Sequence, residues 1–455
     1  MTYPSTFLSR RMRRTLMGFL ISVFFLIAPL LLAYTAGYRY DIINRRFEQT
    51  GVISIDIEPP DSKIFLNTVE IKKNMPLRLA NRVPGGYHIR IEREGYQPWE
   101  RDITVESRQT TYIKNITLFP VSLPTPVFDQ RAQTPQSVVP SRDGAYAILF
   151  APHDGIEEVT LFHTITKRET PLLRKTSDAK IFSSWSPSYD LFFLAVEEGG
   201  RTSVWLFDPE NPVSAATYAF NAPIGVEEMH QWFQWQKNTI IPSVILRDGA
   251  SLISLSLVSK EDIGYLPDTA DAWMVDSEET IWIYEEEHST FMTLDADGNS
   301  LPFFSIEEKK IRDIIDINDH RILVADDDGV SVLVQDTNAE KNLWEFPNAR
   351  ARFHPATKEW FVFSPWELWT VYENGDVALL NRTSQTLTDV APLDKYGVLL
   401  LTTDRGLFAF NPGYYVTHDL FSGGTIEKTF VREKDRVVYF LGTVGNRRDL
   451  YELRY

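Results

Sequence analysis

The chain has 455 residues, a formal net charge of −16 and no cysteine, which excludes disulfides, thiolate metal sites and cysteine nucleophiles. Hydrophobic residues make up 43% of the chain and aromatic residues 13%, enough to build several folded cores and too much for a disordered protein. The absence of cysteine fits an exported bacterial protein, although chance depletion gives the same composition.

The charge is unevenly distributed along the chain. Residues 1–38 contain four arginines and no acidic residue, and residues 39–120 contain 13 basic and 11 acidic residues. The remaining residues contain 29 basic and 51 acidic side chains, a net charge of −22. A region of that charge repels phosphate backbones and anionic lipid. We therefore expect no nucleic-acid partner, and the charge favours cation binding or basic partners.

Residues 15–38 contain no charged side chain and predict one transmembrane helix. At a rise of about 1.5 Å per residue this run spans roughly 36 Å, enough to cross a hydrocarbon core of about 30 Å. Residues 1–14 are predicted to be a basic cytoplasmic tail, because Arg10, Arg11, Arg13 and Arg14 satisfy the positive-inside rule. Residues 39–50 are expected to form a juxtamembrane linker.

The alternative for this segment is a cleaved signal peptide, with Thr35 and Gly37 as the small residues of a poor cleavage site. The apolar run is longer than a usual signal core, and Tyr34 disfavours cleavage after Ala36, so we favour a retained anchor. Both interpretations place residues 39–455 outside the cytoplasmic membrane, in the cell envelope. No second stretch of the sequence approaches membrane-spanning length.

Residues 51–120 predict a small β domain with about six short strands. Residues 51–58 alternate so that Ile53, Ile55 and Ile57 share one face, the pattern of a half-buried strand. Residues 87–93 alternate in the same way, and clusters of proline and glycine separate the strands. A β-sandwich of about 70 residues is the expected product.

The run from Pro84 to Tyr96 resembles the second half of a PEGA domain. In that family a Pro-Gly turn leads into a strand and then into a Gly-Tyr turn, and the matching residues are Pro84, Gly85, Tyr87, Gly95 and Tyr96. The glycines are suited to the positive φ angles of tight turns. The resemblance covers about 70 residues.

The first half of the same region departs from the PEGA pattern. Asp61 and Ser62 stand where Gly-Ala is usual, and no glycine follows Asn67. The resemblance implies an envelope or surface protein in which this domain is a β spacer or a binding module without catalysis.

Residues 121–135 are interpreted as a linker, because prolines at 120, 124 and 126 stiffen the chain and glutamines at 130, 133 and 136 are polar. Beyond them, a polar turn followed by a strongly apolar strand recurs eight times, at spacings of 44, 50, 40, 42, 36, 39 and 39 residues. The markers of this turn are Arg142, Ser186, Gln236, Asp276, Asn318, His354, Leu393 and Arg432. A mean period of about 41 residues predicts a β-propeller of seven or eight blades over residues 136–455.

One repeat resembles the blade of TolB-type propellers, through Trp185-Ser186-Pro187 and the later Asp208. The final strand, residues 450–455, is expected to pair with the first blade and close the ring. Two β-sandwiches in tandem are the alternative architecture. The predicted fold class is thus an all-β ectodomain, with a PEGA-like sandwich followed by a propeller, after one N-terminal transmembrane helix.

No catalytic, cofactor-binding or metal site is predicted. The eight histidines have no metal-ligand spacing, and the chain contains neither a nucleophile elbow nor a phosphate-binding glycine loop. Residues 295–299 resemble the start of a calcium loop, but Asp-Gly is also common in hairpin turns, and residues 326–329 have the same interpretation. Acidic runs at 285–287 and 307–308 are interpreted as solvated loop charge.

Five aromatic residues cluster in one stretch: Trp360, Phe361, Phe363, Trp366 and Trp369. They are interpreted as blade core, with a sugar-stacking platform as the alternative.

These observations predict a non-catalytic, single-pass membrane protein of the cell envelope, whose propeller binds or scaffolds an envelope protein or polymer. The alternatives are an extracellular propeller enzyme acting on glycan or peptide, and a sensor that transmits through its helix. Sequence alone does not show whether carboxylates or arginines converge on one propeller face, which would favour the enzyme.

Overall fold

The computed structural model describes residues 10–35, 37–41, 46–72, 74–128, 134–220, 224, 231–236, 241–276, 278, 280–294, 300–306, 309–318, 321–335 and 341–455. The chain divides into two compact units, Met1–Val121 and Ser122–Tyr455.

The first unit begins with helix α1 (Arg10–Thr35), which starts before the predicted transmembrane run of 15–38 and ends before its last residues. Arginine is a good helix former, so the basic residues extend the helix toward the N-terminus. A hairpin of β1 (Tyr38–Asp41) and β2 (Arg46–Gln49) replaces much of the predicted linker 39–50. The rings of Tyr40 and Phe47, which face each other across this hairpin, are 5.1 Å apart, a pairing that stabilises it.

Two sheets form the β-sandwich. The strands are β3 (Gly51–Glu58), β4 (Lys63–Leu66), β5 (Val69–Glu70), β6 (Leu77–Arg82), β7 (Gly85–Glu92), β8 (Trp99–Val105) and β9 (Thr110–Thr117). One sheet has the order β6-β3-β9 and the other β5-β4-β7-β8. The alternation predicted for residues 51–58 is confirmed, because Ile53 and Ile55 are fully buried whereas Asp56 is exposed.

The described residues of the second unit contain eight four-stranded antiparallel sheets, numbered here as blades 1 to 8. Blades 1 to 4 consist of β11 (Ser137–Pro140), β12 (Tyr146–His153), β13 (Ile156–His163) and β14 (Arg168–Thr176); β15 (Lys180–Trp185), β16 (Phe192–Glu198), β17 (Arg201–Phe207) and β18 (Ala215–Ala219); β19 (Phe233–Trp235), β20 (Ser243–Asp248), β21 (Ser251–Ser256) and β22 (Lys260–Tyr265); and β23 (Ala272–Val275), β24 (Ile281–Glu285), β25 (Thr290–Leu294) and β26 (Ser300–Ser305).

Blades 5 to 7 also consist of four consecutive strands, whereas the fourth strand of blade 8 comes from residues before blade 1. Blades 5 to 8 consist of β27 (Ile311–Ile317), β28 (Arg321–Asp326), β29 (Gly329–Gln335) and β30 (Lys341–Pro347); β31 (Arg350–His354), β32 (Glu359–Phe363), β33 (Glu367–Val371) and β34 (Val377–Arg382); β35 (Leu387–Pro392), β36 (Leu399–Thr403), β37 (Gly406–Asn411) and β38 (Val416–Ser422); and β39 (Gly424–Arg432), β40 (Val437–Val444), β41 (Arg447–Arg454) and β10 (Thr125–Pro126), with a 3-10 helix at Glu433–Asp435.

Shared hydrophobic cores join consecutive blades into a ring. One core joins blades 1 and 2 through Ile148 and Phe192, and equivalent cores join each following pair up to blades 6 and 7. The hydroxyls of Thr402 and Thr429 lie 3.0 Å apart between blades 7 and 8. The first strands of most neighbouring blades contact each other, so the first strands form the inner wall of a propeller with a central channel.

The eight sequence markers each lie at the turn after the first strand of a different blade, or on the last residue of that strand. Ser186, for example, follows β15, and its hydroxyl accepts hydrogen bonds from the backbone N–H groups of Ser188 and Tyr189 at 3.3 and 3.2 Å. The period of about 41 residues is therefore the blade repeat, and the ring has eight blades in the described residues.

The predicted linker 121–135 needs correction. Thr125–Pro126 is the outer strand of blade 8, paired with β41, and Phe128 is buried against Phe162 of blade 1 at 5.2 Å between ring centroids. The expected pairing of the final strand with the first blade is wrong. Strand β41 lies between β40 and β10 in blade 8, and β10 comes from the residues that had been interpreted as linker. An unpaired strand edge is unfavourable, and these residues cover it.

Candidate functional site

The helix presents an apolar surface that no other part of the described chain covers. Long apolar side chains such as Phe25, Leu26 and Leu32 are more than 65% exposed. The helix is long and apolar enough to cross a membrane, a property that a signal sequence near the N-terminus shares.

Both ends of this helix carry arginines. Arg11, Arg13 and Arg14 lie in its first turns, and Arg10 is its first residue. At the other end, the Arg39 guanidinium lies 3.8 Å from the centroid of the Tyr34 ring and donates hydrogen bonds to the carbonyl oxygens of Tyr34 and Tyr38. The Tyr34 carbonyl, in the last turn of the helix, also accepts a hydrogen bond from the Gly37 N–H, so Arg39 adds a second donor at the helix end. The sequence did not indicate this role.

The PEGA-like residues occupy the turns expected of them. Gly85, after Pro84, has a φ of +149° and Gly95 a φ of +76°, conformations that favour glycine. The Tyr87 hydroxyl donates to the carbonyl of Val83 at 2.8 Å, and Tyr96 forms an isolated bridge with Pro120. These residues fix the ends of strand β7, so their role here is structural.

The exposed face of strands β7 and β8 pairs polar and charged side chains in register. His88 faces Asp102 with Nδ1 and Oδ1 2.8 Å apart, and Arg90 Nε lies 3.0 Å from Glu100 Oε1. Because these side chains are exposed and pair with each other, each pair contributes little stability.

The inner wall of blades 6, 7 and 8 holds a different arrangement, which we call the inner-wall cluster: Arg350 and Arg352 on β31, Asp389 on β35 and Lys428 on β39. The Arg352 guanidinium contacts Asp389 with two nitrogens, Nε to Oδ1 at 3.2 Å and Nη2 to Oδ2 at 3.4 Å. The backbone N–H of Val390 also donates to Asp389 Oδ1, at 3.0 Å. The carboxylate is 15% exposed and the Arg352 side chain 45%, so the pair faces the channel rather than the core.

Two β-bulges place the cluster. In β35 the pairing shifts between Leu387 and Asp389, and in β39 it shifts between Ile426 and Lys428. A bulge re-aims the side chains that follow it and is common next to functional sites. Without these shifts, Asp389 and Lys428 would alternate onto other faces of their strands.

The pKa of Lys428 depends on its burial and on the charged side chains of the cluster. Burial lowers the pKa of the Lys428 ammonium, the nearby Asp389 carboxylate raises it, and the guanidinium groups of Arg352 and Arg350 lower it. Burial and like charge thus disfavour the protonated form. The cluster contains three basic side chains around one carboxylate.

Other predicted candidates fall into structural roles. In the turn at 326–329, Asp326 Oδ1 accepts from the backbone N–H groups of Asp328 and Gly329 at 3.0 and 2.8 Å, which confirms the hairpin interpretation. In the acidic run at 285–287, the backbone N–H of Glu286 donates to Asp271 in a turn. Residues 295–299 and 307–308, together with His230 and His320, lie outside the described residues. Within the described residues no three histidine or acidic side chains are grouped closely enough to hold a metal ion.

The aromatic stretch is mainly core, as interpreted. Phe361 and Phe363 are each 2% exposed, and Trp360 and Trp369 pack against the core between blades 5 and 6. Only Trp366 among these five is largely exposed, at 55%. One exposed ring does not form a stacking platform.

The sequence analysis missed the inner-wall cluster because its members lie far apart in the chain. Arg350, Asp389 and Lys428 each lie four residues before the marker residue of their own blade, so these three residues occupy equivalent positions in consecutive blades. Arg352 lies two residues after Arg350 on the same strand. Aligning the repeats at the marker turns and looking for charge on the first strands would have found them.

One protein family and several solved structures are similar to parts of this chain. The family model described as PEGA domain matches residues 50–120. Among solved structures, the chain is similar to virginiamycin B lyase from Staphylococcus aureus, at 12% identity and a TM-score of 0.38, with 62% of this chain and 95% of that chain covered. It is also similar to apo AztD from Citrobacter koseri, at 10% identity and a TM-score of 0.40, with 79% and 94% covered.

An uncharacterized protein from Listeria monocytogenes is similar at 10% identity and a TM-score of 0.42, with 66% of this chain and 98% of that chain covered. No curated protein matches the chain. The propeller assignment rests on the sheet order and the shared cores described above. Residues 50–120 are a PEGA domain, and in this chain the domain follows an apolar N-terminal helix and precedes an eight-bladed β-propeller.

Proposed function

We propose that this chain is a membrane-anchored, non-catalytic binding protein of the cell envelope, with its N-terminus in the cytoplasm and its β units outside. The observation that carries the proposal is the exposed apolar surface of α1. An exposed apolar surface of this size is unfavourable in water, and a bilayer covers it. The PEGA domain then acts as a spacer, and the propeller presents the binding surface to an envelope protein or polymer.

The arginines on both sides of the helix support the proposed orientation. Four precede the apolar run, at positions 10, 11, 13 and 14, and three follow it, at positions 39, 45 and 46. The excess on the N-terminal side favours a cytoplasmic N-terminus. If glutamine replaces the four leading arginines, positive charge remains only on the C-terminal side of the apolar run. We then expect the helix to insert in mixed or inverted orientation.

Membrane anchoring is tested by fractionating cells that express the full chain. The protein should stay with the membrane after alkaline extraction, and its N-terminal peptide should be recovered intact by mass spectrometry. The variant Phe24→Arg should shift the protein to the soluble fraction, because an arginine at the centre of the helix costs about 3 kcal/mol on insertion scales.

The matched control is Leu123→Arg, which makes the same kind of change at a residue 83% exposed in the second unit and should stay with the membrane. Recovery of a mature chain that begins after residue 35 would show a cleaved signal peptide instead. For the orientation, protease added to intact cells and to broken cells should degrade the β units in both. Protection in intact cells that is lost on breakage would overturn the placement outside.

A further inference from the structure

The inner-wall cluster reverses the local charge of an acidic domain. Three basic side chains, Arg350, Arg352 and Lys428, surround Asp389 on the first strands of three consecutive blades. With all four groups ionised, the cluster carries a net charge of +2, whereas residues 121–455 carry −22. At physiological ionic strength charges beyond about 8 Å are strongly screened, so the cluster contributes a local excess of positive charge to this part of the channel wall.

The pairing within the cluster is incomplete. Asp389 is engaged by Arg352 through both of its oxygens. In the described part of the chain, no ion pair within 4.0 Å involves Lys428 or Arg350, although both lie near enough to influence each other's charge. Lys428 is partly buried, and Arg350, at the start of its strand, is exposed to the channel. The carboxylate near the Lys428 ammonium, Asp389, is already bonded to Arg352, so the charge of this partly buried ammonium is only partly compensated, which is unfavourable.

An oxyanion would complete this arrangement. A guanidinium presents a planar fork that fits phosphate and carboxylate oxygens, and an ammonium adds a compact charge with three donors. The Arg352 guanidinium already binds a carboxylate in this way, since it donates to Asp389. A second anion between Arg350 and Lys428 would balance the two remaining charges.

We propose that the inner wall of blades 6 to 8 is a binding site for an oxyanionic group, a phosphate or a carboxylate, held by Lys428 and Arg350 beside the Arg352–Asp389 pair. The inference rests on the proposed function only in taking the propeller as the binding part of the chain. Membrane anchoring is measured by fractionation and anion binding by titration, so a failure of one is distinguishable from a failure of the other.

The test is a calorimetric titration of the full chain, in a non-ionic detergent, with inorganic phosphate, citrate and long-chain polyphosphate. Sodium chloride at matched ionic strength is the reference for non-specific effects. Binding of phosphate indicates a free anion or a phosphate group, stronger binding of polyphosphate indicates a group carried on a polymer, and binding of citrate alone indicates a carboxylate. Each of these results supports the proposal.

The variants define the site. Lys428→Met and Arg350→Gln should each weaken binding about tenfold, as expected for the loss of one charge-assisted contact. Asp389→Asn should strengthen it, because the carboxylate that competes for Arg352 is removed and the net charge rises by one. If Asp389 has only a structural role, Asp389→Asn does not bind the anion more strongly than the wild type. The matched control is Arg174→Gln on the outer strand β14, whose side chain is 72% exposed, and it should bind like the wild type.

Arg350→Gln keeps the test usable if Lys428→Met fails to fold, because Arg350 is exposed at the start of its strand. The proposal is overturned if none of the three anions binds beyond the chloride reference. It is also overturned if Arg174→Gln weakens binding as much as the cluster variants do.

Discussion

Two buried histidines connect the stability of the propeller to pH. Burial lowers the pKa of His354, which is 1% exposed, and lowers the pKa of His418, which is 6% exposed, to about 4. In the unfolded chain the pKa of histidine is about 6.5. Below that pH the unfolded chain takes up protons that the folded chain does not, so stability is full above pH 6.5 and falls as the pH approaches 4.

For His418 we expect a loss of about 2 kcal/mol in the free energy of unfolding between pH 7 and pH 5, from roughly 1.4 kcal/mol per pH unit below 6.5. The measurement is urea unfolding followed by tryptophan fluorescence at both pH values. His418→Gln should reduce the pH-dependent part of the loss. His288→Gln, at a residue whose side chain is 66% exposed, is the control. If His418→Gln and the wild type lose the same stability, the buried neutral histidine is not the cause.

At the scale of elements, one buried arginine joins blades 5 and 6. The Arg321 side chain is 3% exposed and donates to the backbone carbonyls of Val371 and Tyr372 at 3.1 and 2.7 Å. Its second terminal nitrogen lies 3.1 Å from Asp316, which also accepts a hydrogen bond from the Trp360 indole at 2.7 Å. The carboxylate therefore compensates a buried charge between two blades.

We expect Asp316→Ala to lower the free energy of unfolding by about 3–5 kcal/mol, because it leaves the buried Arg321 charge without its counter-ion. The control is Asp327→Ala, which removes a carboxylate that is 55% exposed and lies 3.5 Å from Lys310. An exposed pair contributes at most about 1 kcal/mol. Equal losses in the two variants, measured by thermal or urea unfolding, would contradict this account of the blade contact.

Local sequence patterns predicted some features of the strands and not others. The alternation of residues 51–58 predicted both the strand and its buried face, because side chains in a strand alternate between faces with a period of two. No alternation in the sequence predicted the bulges before Asp389 and Lys428. A bulge is an extra residue relative to the partner strand, so it can be recognised only when the two strands are paired. No single first strand therefore indicates the inner-wall cluster, which the sequence shows only when the repeats are aligned at their marker turns.

At the scale of the whole molecule, closure of the ring depends on residues before the first blade. The backbone N–H of Val127 donates to the carbonyl of Leu450 at 2.8 Å, and the Arg447 guanidinium donates to the carbonyl of Phe128 at 2.7 Å. Phe128 also packs in the core that joins blades 8 and 1. The propeller unit therefore begins near Ser122, and a fragment starting at residue 136 would lack the outer strand of its last blade.

We expect Phe128→Ala to lower the free energy of unfolding by about 3–5 kcal/mol, the usual cost of removing a buried phenylalanine. A fragment of residues 122–455 should melt cooperatively, whereas residues 136–455 should melt at a lower temperature and aggregate through the exposed edge of β41. Leu123→Ala, at a residue 83% exposed, is the control and should be neutral. A stable, monomeric 136–455 fragment would show that β10 is dispensable.

The sequence by itself determined the features that depend on near neighbours in the chain. A long uncharged run indicated the helix, alternation and Pro-Gly turns indicated the PEGA domain, and a repeat of about 41 residues indicated the propeller. The eight marker turns then matched the eight blades.

Only the tertiary structure decided the number of blades, the strand that closes the ring and the inner-wall cluster. These features join residues tens to hundreds of positions apart, such as Pro126 with Tyr451 and Arg352 with Asp389. Such contacts form only when the whole ring closes. Ring closure is set by the packing of one blade on the next, and no local pattern of the sequence encodes it.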